Sequence, residues 1–539
     1  MTVSFLPESA PFDAEQRAWL NGFFAGMLGV DESLAGTAGQ AAAAEPALLT
    51  ADEPADAEPA EDYDDAAWHD ASLTIDERLE LAEGKPKAAR LMAAMAQLDC
   101  GSCGYLCKTY SAAIADGSET NLTLCSPGGK ETAKAVKKIA KEPDDAGSDA
   151  ASDAAAKPAT GPLAEPTGWS RANPYPARLL AVRNLNKPGS AKHTSHVEIE
   201  LGDDGPTYEV GDALGVFPRN CGDLVAAIVG RLGVSGDALV DSPQGGQAPL
   251  RMVLERDVSL AEPTEELLDL LIGSTSDDTD ERTLRTWLED DDTLDGRDVL
   301  DVLAAVPTAQ PDPSRLVLSL DPMNPRLYSI ASSAKAVPGQ VHLTVGRVSW
   351  QKDGRERKGV ASTFLSDRCP EGEQIAVFVQ KSHGFTVPAN PDAPMIMIGP
   401  GTGIAPFRAF LQERERTGAT GPNWLFFGDQ KTATDFLYED EIAAWTESGL
   451  LTQCSTAFSR DQAEKVYVQH RMAEHGAELF DWLQRGGSVF VCGDASRMAV
   501  DVDNALHALI AQHGNLTPEA AKAYVQQLTQ DGRYARDVY

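Results

Sequence analysis

The chain has 539 residues, with 46 Lys and Arg against 82 Asp and Glu, a formal charge of −36. So acidic a balance excludes a nucleic-acid binder and a polybasic membrane-surface protein. The length accommodates several domains, and 42% hydrophobic residues suit ordinary globular cores. No apolar run is long enough to span a bilayer. Residues 1–10 lack a basic stretch followed by an apolar core, so no secretory signal is expected and a cytoplasmic location is.

The acid is unevenly spread. Residues 31–70 carry twelve Asp and Glu and no Lys or Arg, amid Ala and Pro. Such a stretch buries little and reads as a solvated tether. A second tract rich in Ala, Asp and Pro, within 141–172, reads as a linker. Together they isolate a head at 1–30 and an island at 71–140. In the head, residues 14–27 put Trp19, Leu20, Phe23, Phe24 and Met27 on one helical face. That face either packs on the rest of the chain or anchors a partner.

The island holds four of the eight cysteines: Cys100, Cys103, Cys107 and Cys125. Three thiolates on a tight loop can take three corners of a cubane, and a fourth returns from a distant turn. Gly101 and Gly104 let the backbone curl around the sulfurs. Zinc usually shows two Cys-x2-Cys halves or matched histidines, and His69 is not placed for that. A 4Fe–4S cluster is the favoured occupant, with zinc or redox-active thiols as alternatives. The Cys-Gly-x-Cys-Gly pattern that ends in Cys-x-Pro-Gly-Gly resembles the small iron–sulfur domain of corrinoid iron–sulfur proteins. The segment is expected to be small and α-rich.

Residues 173–390 are β-rich at both ends. Residues 196–201 alternate apolar and polar, and 208–216 read as a further strand. Between them and the next strand lies a helical insert at about 222–308. Then Arg326, Leu327, Tyr328 and Ser329 form a strand. An arginine can pair with a diphosphate, an aromatic can lie on a flavin, and a serine can sit near the reactive ring nitrogen. Next, Gly359, Val360, Ala361, Ser362 and Thr363 open a short helix whose amides and two hydroxyls suit an anion. The two motifs in this order resemble the FAD-binding domain of the ferredoxin–NADP reductase superfamily, an antiparallel β-barrel.

Residues 391–539 carry a dinucleotide signal. A buried strand runs into a turn with Gly399, Gly401, Thr402 and Gly403, then into a helix with Pro406 in its first turn. Further strands alternate with helices, so an open parallel sheet is expected. After the third strand, Ser459, Arg460, Lys465, Tyr467 and Gln469 offer hydroxyls, cations and an amide. That set suits a 2′-phosphate, so NADPH is favoured over NADH. Cys492 and Asp494 stand at the end of a later strand, where ligands bind in such sheets. Near the C-terminus, Asp537 can steady charge during hydride transfer, and Tyr539 can stack on an isoalloxazine.

From about residue 170 onward the chain resembles the FAD/NADPH part of the diflavin reductases, nearest to the flavoprotein subunits of NADPH-dependent sulfite reductases. Gly-Pro-Gly-Thr-Gly-Ile-Ala-Pro-Phe-Arg, Val-Cys-Gly-Asp-Ala and the terminal Arg-Tyr-x-Arg-Asp-Val-Tyr carry the likeness. The resemblance implies that Ser329, Cys492 and Asp537 assist hydride transfer and that Tyr539 covers FAD. It implies a siroheme sulfite reductase subunit as electron acceptor. A ferredoxin, haem protein or quinone is the alternative acceptor, and a non-catalytic redox or assembly subunit the alternative role. Diflavin reductases begin with an FMN-binding flavodoxin domain. No strand followed by a Ser/Thr-Gly phosphate loop precedes residue 170, so FMN is not expected and the cysteine island takes its place.

Overall fold

The computed structural model describes residues 66, 68, 73–97, 105, 107–119, 121–125, 128–142, 169–382, 384–495 and 497–539. The head, nearly all of the acidic tether and most of the linker lie outside these residues. Of the tether only Ala66 and Trp68 are described, and Trp68 is buried against Ala82, Ala89 and Ala93, so the end of the tether packs with the island instead of lying in solvent.

The island is built from helices α1 (Ile75–Leu81), α2 (Lys87–Ala94), α3 (Cys107–Ala115) and α4 (Gly129–Lys141). Thr74 and Glu77 close the first turn of α1 in a capping box. The buried Arg78 staples the end of α2, donating to the carbonyls of Ala93 at 3.0 Å and Met95 at 3.0 Å. Leu91, Met92, Met95, Tyr110, Ile114, Val136 and Ile139 form a small core that also holds Cys107, with Cys125 packed against it.

The next unit is a six-stranded antiparallel sheet in the order β6-β3-β10-β1-β2-β7. Its strands are β1 (Tyr175–Asn184), β2 (Thr194–Glu200), β3 (Ala213–Val216), β6 (Arg326–Ser329), β7 (Gln340–Gly346) and β10 (Gln374–Gln380). Alternate residues such as Leu179, Val197, Ile199, Leu343 and Val377 point inward to one core. Just past β6, a bridge between Ile330 and Leu343 brings the first and last strands together, so the sheet closes as a barrel. The strand expected over 208–216 shortens to β3. Gly211 has φ +99°, and a Cβ there would lie 1.7 Å from the Phe385 carbonyl oxygen. Asp212 then fixes the turn, accepting from the amides of Glu209 and Ser382.

Helices Gly222–Leu232, Leu250–Arg256, Glu265–Ile272, Asp278–Glu289, Val299–Ala305 and Pro313–Leu318 form the insert, with the small hairpin β4 (Leu239–Asp241) and β5 (Gln247–Pro249). The helical region therefore continues past residue 308 to Leu318. Its leucine-rich faces make a separate core. A second hairpin, β8 (Ser349–Lys352) with β9 (Arg355–Lys358), leads to the short helix Val360–Thr363.

The last unit is a five-stranded parallel sheet in the order β13-β12-β11-β14-β15. Its strands are β11 (Met395–Ile398), β12 (Asn423–Asp429), β13 (Gln453–Phe458), β14 (Ser488–Gly493) and β15 (Tyr534–Val538). Both faces are covered by helices, which explains the unbroken apolar text of β11 and β12. Trp424 is fully buried and stacks on Phe426 at 4.9 Å.

Barrel and parallel sheet meet in a polar seam. Tyr438 hydroxyl bonds to His196 Nδ1 at 2.9 Å and to Thr344 at 2.7 Å. Arg408 donates to the Ala331 carbonyl at 2.6 Å and is paired with Glu441. Burial, with Arg408 nearby, holds His196 down at about 2 and His342 at about 4, so both imidazoles are neutral. The seam fixes β6 opposite the C-terminal ends of β14 and β15. Among the described residues no helix is long and apolar enough to cross a membrane.

Candidate active site

A cleft of about 1970 Å³ runs along this junction. A pocket for one small ligand measures roughly 300–1,000 Å³, so the cleft has room for more than one. Its walls come from β6, from the glycine turn after β11, and from the carboxyl ends of β12, β13, β14 and β15. Ligands gather at those strand ends because turns there leave backbone groups and side chains open to the crevice.

Three side chains meet at its wall. The parallel register places Cys492 of β14 beside Asp537 of β15. Ser329, at the end of β6, donates its hydroxyl to Asp537 Oδ2 at 2.6 Å. Cys492 Sγ lies 3.8 Å from the same oxygen. Burial pushes the Asp537 carboxyl up, and the Ser329 and Cys492 hydrogen bonds pull part of the way back. Burial, reinforced by the Asp537 charge, pushes the Cys492 thiol well above its ordinary range, so it stays a thiol. Ser329 and Asp537 line the cleft; Cys492 is fully buried behind them.

Tyr539 hangs over the glycine turn. Its hydroxyl bonds to Thr402 Oγ1 at 2.9 Å, and 52% of the residue remains exposed. Gly401 has φ +58°, a conformation that favours glycine. A Cβ at Gly403 would lie 2.0 Å from the Cys492 carbonyl oxygen, so only glycine lets the turn pack on β14. Gly399 is enclosed by Gly403 and Phe407. Pro406 stands in the first turn of the helix Ala405–Thr417, as expected.

Arg326, Leu327, Tyr328 and Ser329 all line the cleft, so both faces of β6 contribute. Val360 lines it too, and the two hydroxyls beyond it each bond within the chain. Ser362 Oγ accepts from the Val348 amide at 3.1 Å, and Thr363 Oγ1 donates to the Gly359 carbonyl at 2.9 Å. Ala361, Ser362 and Thr363 are buried. At this turn Val360 reaches the cleft, the Thr363 hydroxyl donates within the chain, and the Ser362 oxygen accepts within it.

On the dinucleotide side, Ser459, Tyr467, Gln469 and Asp494 line the cleft. Asp494 also caps the helix Met498–Gly514, accepting from the amides of Arg497 at 2.7 Å and Met498 at 3.1 Å. Arg460 and Lys465 are exposed and flank the cleft-lining Ser459 and Tyr467 without lining it themselves. Asp461, next to Arg460, accepts from the Thr432 amide and hydroxyl, which holds its carboxylate to that loop.

Sequence reasoning missed Lys192. It comes from the β1–β2 connection and donates to Asp429 Oδ1 at 2.6 Å at the end of β12. Burial raises the Asp429 carboxyl, and Lys192 opposes that rise. The ammonium stands 3.8 Å from where a Gly401 Cβ would be, so it presents a cation at the glycine turn. No periodicity marks it; only the barrel–sheet junction brings it there.

In the island, the structure unites Cys107 and Cys125 in one small core, whereas Cys100 and Cys103 lie outside the described residues. Tyr110, one turn along α3 from Cys107, ties the two parts. Its hydroxyl donates to the Asn121 carbonyl at 2.6 Å and accepts from the Leu124 amide at 3.2 Å, beside Cys125.

Comparison with known proteins matches these units. An FAD binding domain family matches residues 168–364, and an oxidoreductase NAD-binding domain family matches 397–504. The sulfite reductase [NADPH] flavoprotein alpha-component of Bacillus subtilis is 45% identical over 376 residues, 69% of this chain and 62% of that protein. The protein of the same description from Photobacterium profundum is 39% identical over 440 residues, 81% of this chain and 71% of that protein. The one from Aliivibrio fischeri is 42% identical over 381 residues, 70% of this chain and 62% of that protein.

Proposed function

The chain belongs to the family of NADPH sulfite reductase flavoprotein alpha-components, and on that premise we propose that it is an NADPH-dependent oxidoreductase feeding single electrons to a sulfite-reducing subunit. The chain spans 62% of the Bacillus relative's length, so activity, substrate and partner are part of this reading. The observation that carries it is the meeting of Ser329, Asp537 and Cys492 where the FAD-type barrel abuts the NAD-type sheet.

FAD, when bound, supplies an acceptor that takes a hydride as an electron pair and returns electrons singly. The chain's residues do the rest. Arg326 and Tyr328 would hold its diphosphate and ring on the β6 wall, and Ser329 would stand at its reactive edge. Tyr539 would cover the ring until the nicotinamide replaces it. Asp537 would face the nicotinamide as its positive charge develops, with Ser329 and Cys492 fixing the carboxylate in place. Gly401 and Thr402 would border the NADPH diphosphate, and Ser459, Arg460, Lys465 and Tyr467 its 2′-phosphate.

The cysteine island stands in this reading as a 4Fe–4S relay in place of an FMN domain. A cubane, when bound, supplies a one-electron carrier. Its ligands would be Cys100, Cys103, Cys107 and Cys125; the shared core of Cys107 and Cys125 and the Tyr110 tie between them support this part. The acceptor is the siroheme subunit of a sulfite reductase, and the location cytoplasmic. Co-purification from native extract tests the acceptor. Recovery of a siroheme protein supports it, and recovery of a ferredoxin or other haem protein instead overturns it.

Cofactor choice is tested by Arg460→Ala with Lys465→Ala. Removing two cations from a phosphate site raises the NADPH KM by about 10- to 100-fold and leaves the NADH KM near its starting value. An unchanged NADPH:NADH preference contradicts the pocket.

A further inference from the structure

In a chain of charge −36, α4 is an exception: it carries Lys130, Lys134, Lys137, Lys138 and Lys141 against one acid, Glu131. Lys134 pairs with Lys137 and Lys138 at spacings of three and four, and Lys141 with Lys138 and Lys137 likewise, so the four fall on one side of the helix. That side lines the large cleft, as does Cys125. The wall of the cleft supplied by the helical insert is acidic, with Glu262, Glu265, Glu289 and Asp321. Lys137 Nζ and Asp321 Oδ1 stand 4.0 Å apart.

We propose that α4 is an electrostatic docking surface that seats the cysteine island on the acidic rim of the helical insert, with Cys125 turned to the cleft that also holds Ser329 and Tyr539. The inference rests on the relay reading only for what the docked state does, not for the docking itself. One half-buried pair at this distance is weak alone. Four lysines and four carboxylates lining the same cleft act through their summed field, which orients the approach and is screened by salt. The Asp321 carboxyl is raised by burial and by Glu266, and Lys137 offsets that rise, as a cation matched to a partly desolvated acid does. The apolar face of α4 packs inward through Val136 and Ile139, so the lysines do not compete with the island's core. In the docked state one electron at a time would pass from the reduced flavin to the cluster, and the accompanying proton would leave to solvent.

Zero-length carbodiimide coupling of the full-length, flavin-loaded protein tests the docking without reference to any cluster. The expected product is an amide between Lys137 and Asp321, lost when salt rises from about 0.05 M to about 0.5 M. In stopped-flow work with NADPH, Lys137→Glu with Lys138→Glu slows reduction of the island about 10-fold and leaves flavin bleaching unchanged. Adding Asp321→Lys restores part of the rate. A coupled product in protein that shows no cluster signal after dithionite supports the docking and removes the relay. A cluster signal with no coupled product and no rate change in the lysine variant overturns the docking and keeps the relay.

Discussion

Asp537→Asn lowers kcat for NADPH-driven dye reduction by about 10²-fold and leaves the NADPH KM nearly unchanged. The carboxylate stabilises charge that exists only as hydride leaves, so its loss falls on kcat. The same substitution raises or preserves Tm at neutral pH. The reason is linkage: burial raises the folded-state pKa of Asp537 above its unfolded value. Its contribution to stability is then present at low pH and lost as pH climbs through the raised value. Asparagine keeps an acceptor for the Ser329 hydroxyl and carries no charge to bury. The Tm advantage of the variant therefore closes as pH falls toward about 4, the ordinary aspartate range. Thermal melts and steady-state rates across pH check both halves. A variant that loses stability at neutral pH, or that keeps kcat, contradicts the assignment.

Cys107→Ser with Cys125→Ser abolishes electron delivery to a one-electron partner while NADPH still bleaches the flavin at the wild-type rate. Both cysteines belong to the island, whose core is separate from those of the barrel and the parallel sheet. The hydride step therefore keeps its own side chains, Ser329, Cys492 and Asp537. Far-ultraviolet circular dichroism and flavin content confirm that the remainder is folded. Full delivery by the double variant removes the island from the route.

Some of this architecture is plain in the residues. The glycine turn after β11 announces itself because a fully apolar strand, three glycines and a proline-opened helix have few other readings. The amphipathic segments at Gly222–Leu232, Glu265–Ile272 and Val299–Ala305 show the 3.6-residue period. Other parts are hidden for physical reasons. Ser329 and Asp537 are 208 positions apart, and their 2.6 Å contact depends on the polar seam of Tyr438 and Arg408. Resemblance pairs them; periodicity does not. Lys192 sits in a short connection, with no repeating environment to mark it. Ser362 and Thr363 look like ligand groups because a hydroxyl at a helix start can serve an anion or the chain itself; here Thr363 donates to the Gly359 carbonyl and Ser362 accepts from the Val348 amide. β15 is invisible for a similar reason: its Arg and Asp break the apolar text, and its carboxyl end, with Asp537 and Val538, serves the cleft.

The central claim is that electrons from NADPH reach the cysteine island through the barrel–sheet junction. Rapid-freeze EPR of anaerobic, iron- and sulfide-reconstituted protein mixed with NADPH tests it most directly. The account predicts four iron and four sulfide per chain and a reduced-cubane signal that grows in after the flavin bleaches. It predicts that the signal is delayed in step with the flavin in Asp537→Asn. A flavin that bleaches with no cluster signal, in protein whose cluster dithionite does reduce, would contradict it.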